Sequence, residues 1–226
     1  MRRPDLIVFD CDGVLIDSEI ISANVLIALL KPLGLEIDLI HIQRNFLGRS
    51  FPTVATSIRR DFDLALPENF ESDYRSQLLA IFEDDLQPTP DIARILETLP
   101  VRFCVATSSS PERARRSLQI VDLFKFFQGH IYTASQVANG KPAPDLFLHV
   151  AKSEGVEPQN CLVIEDSMPG VHAALAAGTE VLRYIGGSHF DGIRNTLRNR
   201  RSDFATFDSW QDFFDMVPAL RSEIEN

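Results

Sequence analysis

Apolar residues recur along the chain in short blocks. The first, Leu6-Ile7-Val8-Phe9, is four apolar residues long, three of them β-favouring, and runs into Asp10-Cys11-Asp12-Gly13, where Asp12-Gly13 supplies a turn. Similar blocks at 101–106, 130–133, 161–164, 181–185 and 204–207 predict further strands. Between them the spacing becomes helical, over 91–99, 112–118, 145–153 and 171–177. Thr89-Pro90 and Ser110-Pro111 read as N-caps followed by Pro at the first helical position, with Gly155 and Gly178 as C-terminal stops. Strands alternating with helices predict an α/β fold with a parallel sheet covered on both faces. Such sheets bind ligands at the carboxyl ends of their strands.

Residues 17–84 break the alternation, with helical stretches at 19–30, 39–46, 52–61 and 68–82 and no convincing strand. They read as a helical insertion that leaves the chain directly after the first strand. The expected division is a core of 1–16 and 85–226 and an insertion of 17–84, set over the strand ends as a lid sits over a site. The alternative is a helical elaboration of one domain.

With 226 residues, 45% hydrophobic and 24% charged, the chain can form one large domain or two smaller ones. A net charge of -10 argues against nucleic acid or an anionic membrane as partner, and leaves room for a small anion held locally. Cys11, Cys104 and Cys161 lie in or beside apolar runs and read as reduced core residues. No stretch approaches the ~20 apolar residues of a membrane span. A cytoplasmic location is the expectation.

Four strand-to-helix junctions carry candidate chemistry. Asp10 and Asp12 project the same way from a strand end, and two like charges at that spacing call for a cation such as Mg2+. Thr107-Ser108-Ser109-Ser110 offers hydroxyls and backbone amides at a helix start, which suits an oxyanion. Gly140-Lys141-Pro142 fixes one ammonium in a loop, and Glu165-Asp166-Ser167 ends another apolar run in two carboxylates. The first three have an ordinary structural reading: an Asp-Gly turn, an N-cap at Ser110, a surface Lys beside Pro. A parallel sheet with strands about 4.8 Å apart brings all four to one edge, around one ligand. His41, His130, His149, His172 and His189 are scattered and read as structural or surface residues.

Asp10-x-Asp12-Gly13-Val14, Thr107-Ser108, Lys141-Pro142 and Glu165-Asp166-Ser167-x-x-Gly170 together resemble the motifs of the haloacid dehalogenase superfamily, in its phosphatase and phosphomutase branch. The resemblance implies a Rossmann-like core with an inserted α-helical cap. It implies a Mg2+-dependent phosphatase acting through an aspartyl-phosphate on a small phosphorylated metabolite, a sugar or polyol phosphate. Asp10 then resembles the nucleophile and Asp12 the general acid and base, with Thr107, Ser108 and Lys141 holding the transferring phosphate. Mg2+ is implied on the Asp10 carboxylate, the Asp12 backbone carbonyl and Asp166, with Glu165 on the ion or behind its ligands.

An Asp at position 12 favours phosphoryl transfer over dehalogenation. Mutases with this cap type carry a His in the cap helix and an Arg in a cap loop, where this chain has Ser22 and Phe51. Glu19 and Arg49 are instead similar to sugar-phosphate phosphatases and are the candidates for substrate selection. A phosphomutase of the same family and a non-catalytic module binding Mg2+ and phosphate stay open as alternatives. Other phosphatase chemistries fail on spacing: no Cys is followed six residues later by Arg, and neither GxxxxGK nor HExxH occurs.

Overall fold

Strands β1 (Leu6–Phe9), β2 (Arg102–Thr107), β3 (Ile131–Thr133), β4 (Cys161–Glu165), β5 (Glu180–Tyr184) and β6 (Ala205–Phe207) form one parallel sheet in the order β3-β2-β1-β4-β5-β6. The computed structural model describes residues 2–199 and 202–223, so positions 1, 200–201 and 224–226 of the expected core lie outside the described residues. All four residues of β1 are buried, as a central strand covered on both faces requires. Alternation sends Ile7 and Phe9, with Val105 and Ile164, to one face against Trp210 and Phe213. Leu6 and Val8 join Cys104, Val163, Phe147 and Val171 on the other. The strand order reverses between β1 and β4, and that is where a doubly wound sheet opens its ligand crevice.

Helices α1 (Glu19–Leu30), α2 (Leu39–Asn45), α3 (Phe51–Phe62) and α4 (Phe70–Asp85) follow β1 with no strand among them. The chain leaves and rejoins the sheet as a clamped pair: Ile16 bridges Pro88, Asp17 N donates to Gln87 O at 2.9 Å, and Thr89 N to Leu15 O at 3.0 Å. Ile58, Leu78 and Phe82, fully buried, continue the apolar cluster that holds Phe9 and Ile164. Truncating Phe82 to Ala would cost on the order of 3–5 kcal/mol.

Back in the core come α5 (Ile92–Thr98), α6 (Pro111–Ile120), α7 (Asp145–Glu154) and α8 (Met168–Ala176). Ser110 caps α6 as expected, accepting from Arg113 N. Thr89 does not cap α5, which starts behind Asp91. Its hydroxyl is taken elsewhere, donating to Val14 O at 2.6 Å and accepting from Trp210 Nε1 at 3.0 Å. The start of α8 lies three residues before the expected one because Ser167 accepts from Gly170 N, with Pro169 in the first turn. Cys11, Cys104 and Cys161 are free and buried. Among the described residues no helix is long and apolar enough to cross a membrane.

Candidate active site

Strand register builds the centre of the site. Phe9 pairs with Val105 on β2 and with Ile164 on β4, so Asp10 stands level with Ala106 and Glu165. Lys141, reaching in from the loop after β3, closes this row: Nζ donates to Asp10 Oδ1 at 2.9 Å, Ala106 O at 3.0 Å and Glu165 Oε1 at 2.7 Å. An ammonium has three protons, and all three are used. Burial works against the Lys141 charge, but Asp10 and Glu165 outweigh it and hold the amine protonated above its ordinary range. Asp10 is pushed the other way: burial raises its pKa well above normal, with Glu165, Asp166 and Asp12 adding to the rise against the pull of Lys141. One ammonium does not balance three buried carboxylates.

Glu165 and Asp166 share a strand end yet differ in their partners. Glu165 is spent, with Oε1 on Lys141 and Oε2 accepting from Ser167 N and Ser167 Oγ at 2.8 and 2.9 Å. Gly170 makes room for it, since a Cβ there would lie 1.7 Å from Glu165 Oε1. Asp166 is 1% exposed, and neither carboxylate oxygen has a hydrogen-bond partner among the described residues. Two orphaned acceptors in a buried site are a costly arrangement that a bound cation would relieve. Asp10, Glu165 and Asp166 each present an oxygen within 4.8 Å of the others, an all-oxygen set that suits a hard divalent cation. Gly13, at φ 76°, brings the turn after β1 close to this group; a Cβ would sit 2.2 Å from Asp166 Oδ2.

Asp12 faces the same cavity as Asp10 but has different neighbours. Oδ1 accepts from Ser18 Oγ at 2.6 Å and Arg113 Nη2 at 2.7 Å, and Oδ2 from Ser109 Oγ at 2.7 Å. Burial opposes ionisation, but Arg113, Ser18 and Ser109 prevail and hold the carboxyl below its usual range.

A cavity of about 80 Å³ lies between the strand ends and the helices of 19–85, with Asp10, Asp12, Glu19, Arg49, Thr107, Ser108 and Arg113 in its wall. Glu19 is pushed up to about 8, by burial first and then by the charges of Asp166 and Asp12. Ser108 Oγ donates to Gly48 O at 3.0 Å and Gln43 Nε2 to His189 O at 2.7 Å, contacts that tie the helices to the sheet side. Thr107 Oγ1 accepts from Ser109 N at 3.0 Å, which shapes the turn after β2.

The structure thus gathers Asp10, Asp12, Thr107, Ser108, Lys141, Glu165 and Asp166 at one edge, with Glu19 and Arg49 facing them. Two residues that the sequence reading passed over also belong here. Arg113 reaches Asp12 from the first turn of α6, a contact 101 residues apart in sequence that no local signal marks. His189, read as structural or surface, is buried with Nε2 3.0 Å from Asp166 Oδ2, although ring and carboxylate are not aligned as a hydrogen bond. Its position after β5 gives no motif to notice.

The family model for haloacid dehalogenase-like hydrolases matches residues 4–178. The chain belongs to this family. Among haloacid dehalogenase-like relatives, the chain is 31% identical over 185 residues to fructose-1-phosphate phosphatase YqaB of Escherichia coli (strain K12), covering 78% of this chain and 94% of that one. It is 24% identical over 190 residues to the 6-phosphogluconate phosphatase of the same organism, covering 84% and 86%. A haloacid dehalogenase-like protein from Agrobacterium tumefaciens str. C58 superposes with a TM-score of 0.76 at 32% identity, over 96% of this chain and 99% of that one. A family hydrolase from Deinococcus radiodurans R1, solved with bound phosphate and sodium, gives 0.71 at 30% identity over 97% of both chains.

Proposed function

We propose that this chain is a Mg2+-dependent phosphatase that hydrolyses a small phosphorylated metabolite, a sugar or polyol phosphate, through a phosphoryl group carried on Asp10. The observation that carries the reading is Asp10 at the end of the central strand, buried, held by Lys141 and facing one cavity with Asp12. The relatives named as phosphatases of phosphorylated sugars support the substrate class.

Mg2+ would be held by the carboxylates of Asp10 and Asp166 and the backbone carbonyl of Asp12, with Glu165 turned to Lys141 and Ser167. When bound it supplies positive charge between the Asp10 carboxylate and an incoming phosphate, which otherwise repel. An Asp10 oxygen forms a bond to phosphorus while the bond from phosphorus to the ester oxygen breaks. Thr107 and the Ser108 amide bind the oxygens of the moving phosphoryl group, and Lys141 joins them by turning one of its three protons away from its resting acceptors. Asp12 gives its proton to the leaving oxygen, then takes one from the water that attacks phosphorus, releasing inorganic phosphate and free Asp10. The resting partners of Asp12 favour the ionised form, so proton uptake requires its contact with Arg113 to lengthen.

Residues 17–84 act as a cap in this reading. A cavity of about 80 Å³ is well below the ~300 Å³ at which small-ligand pockets begin, so a sugar phosphate enters only when the cap lifts and breaks contacts such as Ser108 to Gly48. At the positions where mutases carry ionisable groups, Ser22 accepts from Arg113 and Phe51 stacks on Tyr74, which favours hydrolysis. A panel of sugar and polyol phosphates with Mg2+ tests the assignment by phosphate release. Release that disappears in Asp10→Asn supports it, and equal release by that variant overturns it.

A further inference from the structure

The loop after β5, residues 186–190, touches the cap and the acidic cluster at once. Its first contact is with the chain leaving the core. Ser188 N and Ser188 Oγ donate to Asp17 Oδ1 at 3.1 and 2.9 Å, where Asp17 N is itself clamped to Gln87 O. Its second is with α2 of the cap, from which Gln43 Nε2 donates to His189 O at 2.7 Å. Its third is with Asp166, whose Oδ2 lies 3.0 Å from His189 Nε2. One residue, His189, thus meets the cap through its backbone and the acidic cluster through its ring.

That ring has little freedom to follow one side without the other. It is buried, with its centroid 3.9 Å from that of Phe190, and a Cβ added at Gly187 or Gly13 would lie 2.7 or 3.0 Å from its Cε1. A ring packed this closely moves with the backbone that carries it. Across the gap, Arg183 Nε donates to Asp166 O at 2.8 Å and fixes the main chain there, so a shift of His189 changes the surroundings of the carboxylate and leaves the strand end in place. The cap lifts to admit a substrate, and lifting breaks the bond from Gln43 to His189.

We propose that this loop couples the cation site to the cap: a cation on Asp166 favours the closed cap, and the closed cap, acting through Gln43 and His189, tightens the hold on the cation. The inference rests on the metal assignment made in the phosphatase reading. Such coupling is reciprocal, each site shifting the other by the same factor. Gln43 and His189 are positioning residues, since of the three only Asp166 touches the ion. The coupling sets an order of events, in which a site without its cation holds the cap less firmly than a loaded one.

The test uses the whole protein without substrate. Mg2+ binding is read by calorimetry, and cap position by energy transfer between fluorophores on two exposed positions, Thr56 in α3 and Leu175 in α8. Mg2+ is expected to shift the transfer efficiency of the wild type. Gln43→Met keeps the length of the side chain and removes the donor; it should bind Mg2+ at least about threefold more weakly, within the range of one hydrogen bond, and its transfer efficiency should no longer respond to Mg2+. In a His189→Gln background the further loss caused by Gln43→Met should fall below threefold, because the path to Asp166 is already cut, whereas a defect confined to cap packing would add in full. A loss below threefold in Gln43→Met alone, the full loss repeated in the His189→Gln background, or Mg2+ binding to the wild type with no change in transfer overturns the coupling. Failure of the wild type to bind Mg2+ overturns the coupling and the phosphatase reading together. Coupling in a protein that releases phosphate from no ester of the panel keeps the coupling and removes the phosphatase reading.

Discussion

His189 Nε2 stands 3.0 Å from Asp166 Oδ2, and neither side chain has a hydrogen-bond partner among the described residues. Both are buried, so the imidazole is positioned to fix the carboxylate that we assign to the metal, as outer partners of metal ligands do. His189→Gln is expected to weaken Mg2+ binding by about 10–100-fold, measured by calorimetry. Affinity within twofold of the wild type would show that the two groups are only neighbours.

Asp12 differs from Asp10 in needing both protonation states during one turnover. Replacing it by Asn keeps the size and removes the proton transfer, so kcat should fall by about 10²–10⁴ while substrate binding changes little. Rapid-quench kinetics with the best ester, alongside calorimetry, checks both halves. A variant with normal kcat would remove Asp12 from the chemistry.

Gly170 is required by Glu165 rather than by its own backbone. An added Cβ would lie 1.7 Å from Oε1, and Glu165 is what fixes Lys141 against Asp10. Gly170→Ala should therefore lose about 1–3 kcal/mol of stability and most phosphate release. Gly140→Ala is the control, because its nearest new contact is an ordinary 3.7 Å to Ala134 Cβ, and it should stay within about 0.5 kcal/mol. Urea denaturation of both variants makes the comparison.

Glu154, at the end of α7, ties two strands to that helix. Oε1 lies 2.8 Å from both His130 Nδ1 and Tyr132 Oη, and Arg102 stands 3.7 Å from Oε2. Burial pushes its carboxyl up, but these partners outweigh it and hold the folded-state pKa below the ordinary 4.5. The unfolded chain thus binds the proton more readily. The stabilisation is complete above about pH 4.5 and is lost as pH falls through the lower folded-state value. Glu154→Gln should cost roughly 1 kcal/mol at pH 7, since His130 and Arg102 are half exposed, and the difference should shrink in acid. Urea midpoints at several pH values read it; a gap that widens in acid contradicts the assignment.

The strands and most helices were legible because buried strands leave continuous apolar blocks and helices leave a 3.6-residue period. The 19–30 helix was read to the residue, as α1. Asp10, Glu165 and Asp166 were legible because each ends such a block, and Lys141 because Gly140 and Pro142 hold it in a loop. Thr89 was misread because a hydroxyl before Pro fits an N-cap, whereas the folded chain offers it Val14 O and Trp210 Nε1. Arg113 and His189 were passed over for a related reason. Their meaning lies in contacts with Asp12 and Asp166, made 101 and 23 residues away in sequence, and no local pattern announces a partner at that distance.

The central claim is that Asp10 carries the phosphoryl group between substrate and water. Acid quenching during steady-state turnover, followed by borohydride reduction and peptide mass spectrometry, reads it directly. The account predicts a modified residue at position 10 in the wild type and none in Asp10→Asn. Full turnover with position 10 unmodified, or turnover by Asp10→Asn, would contradict it.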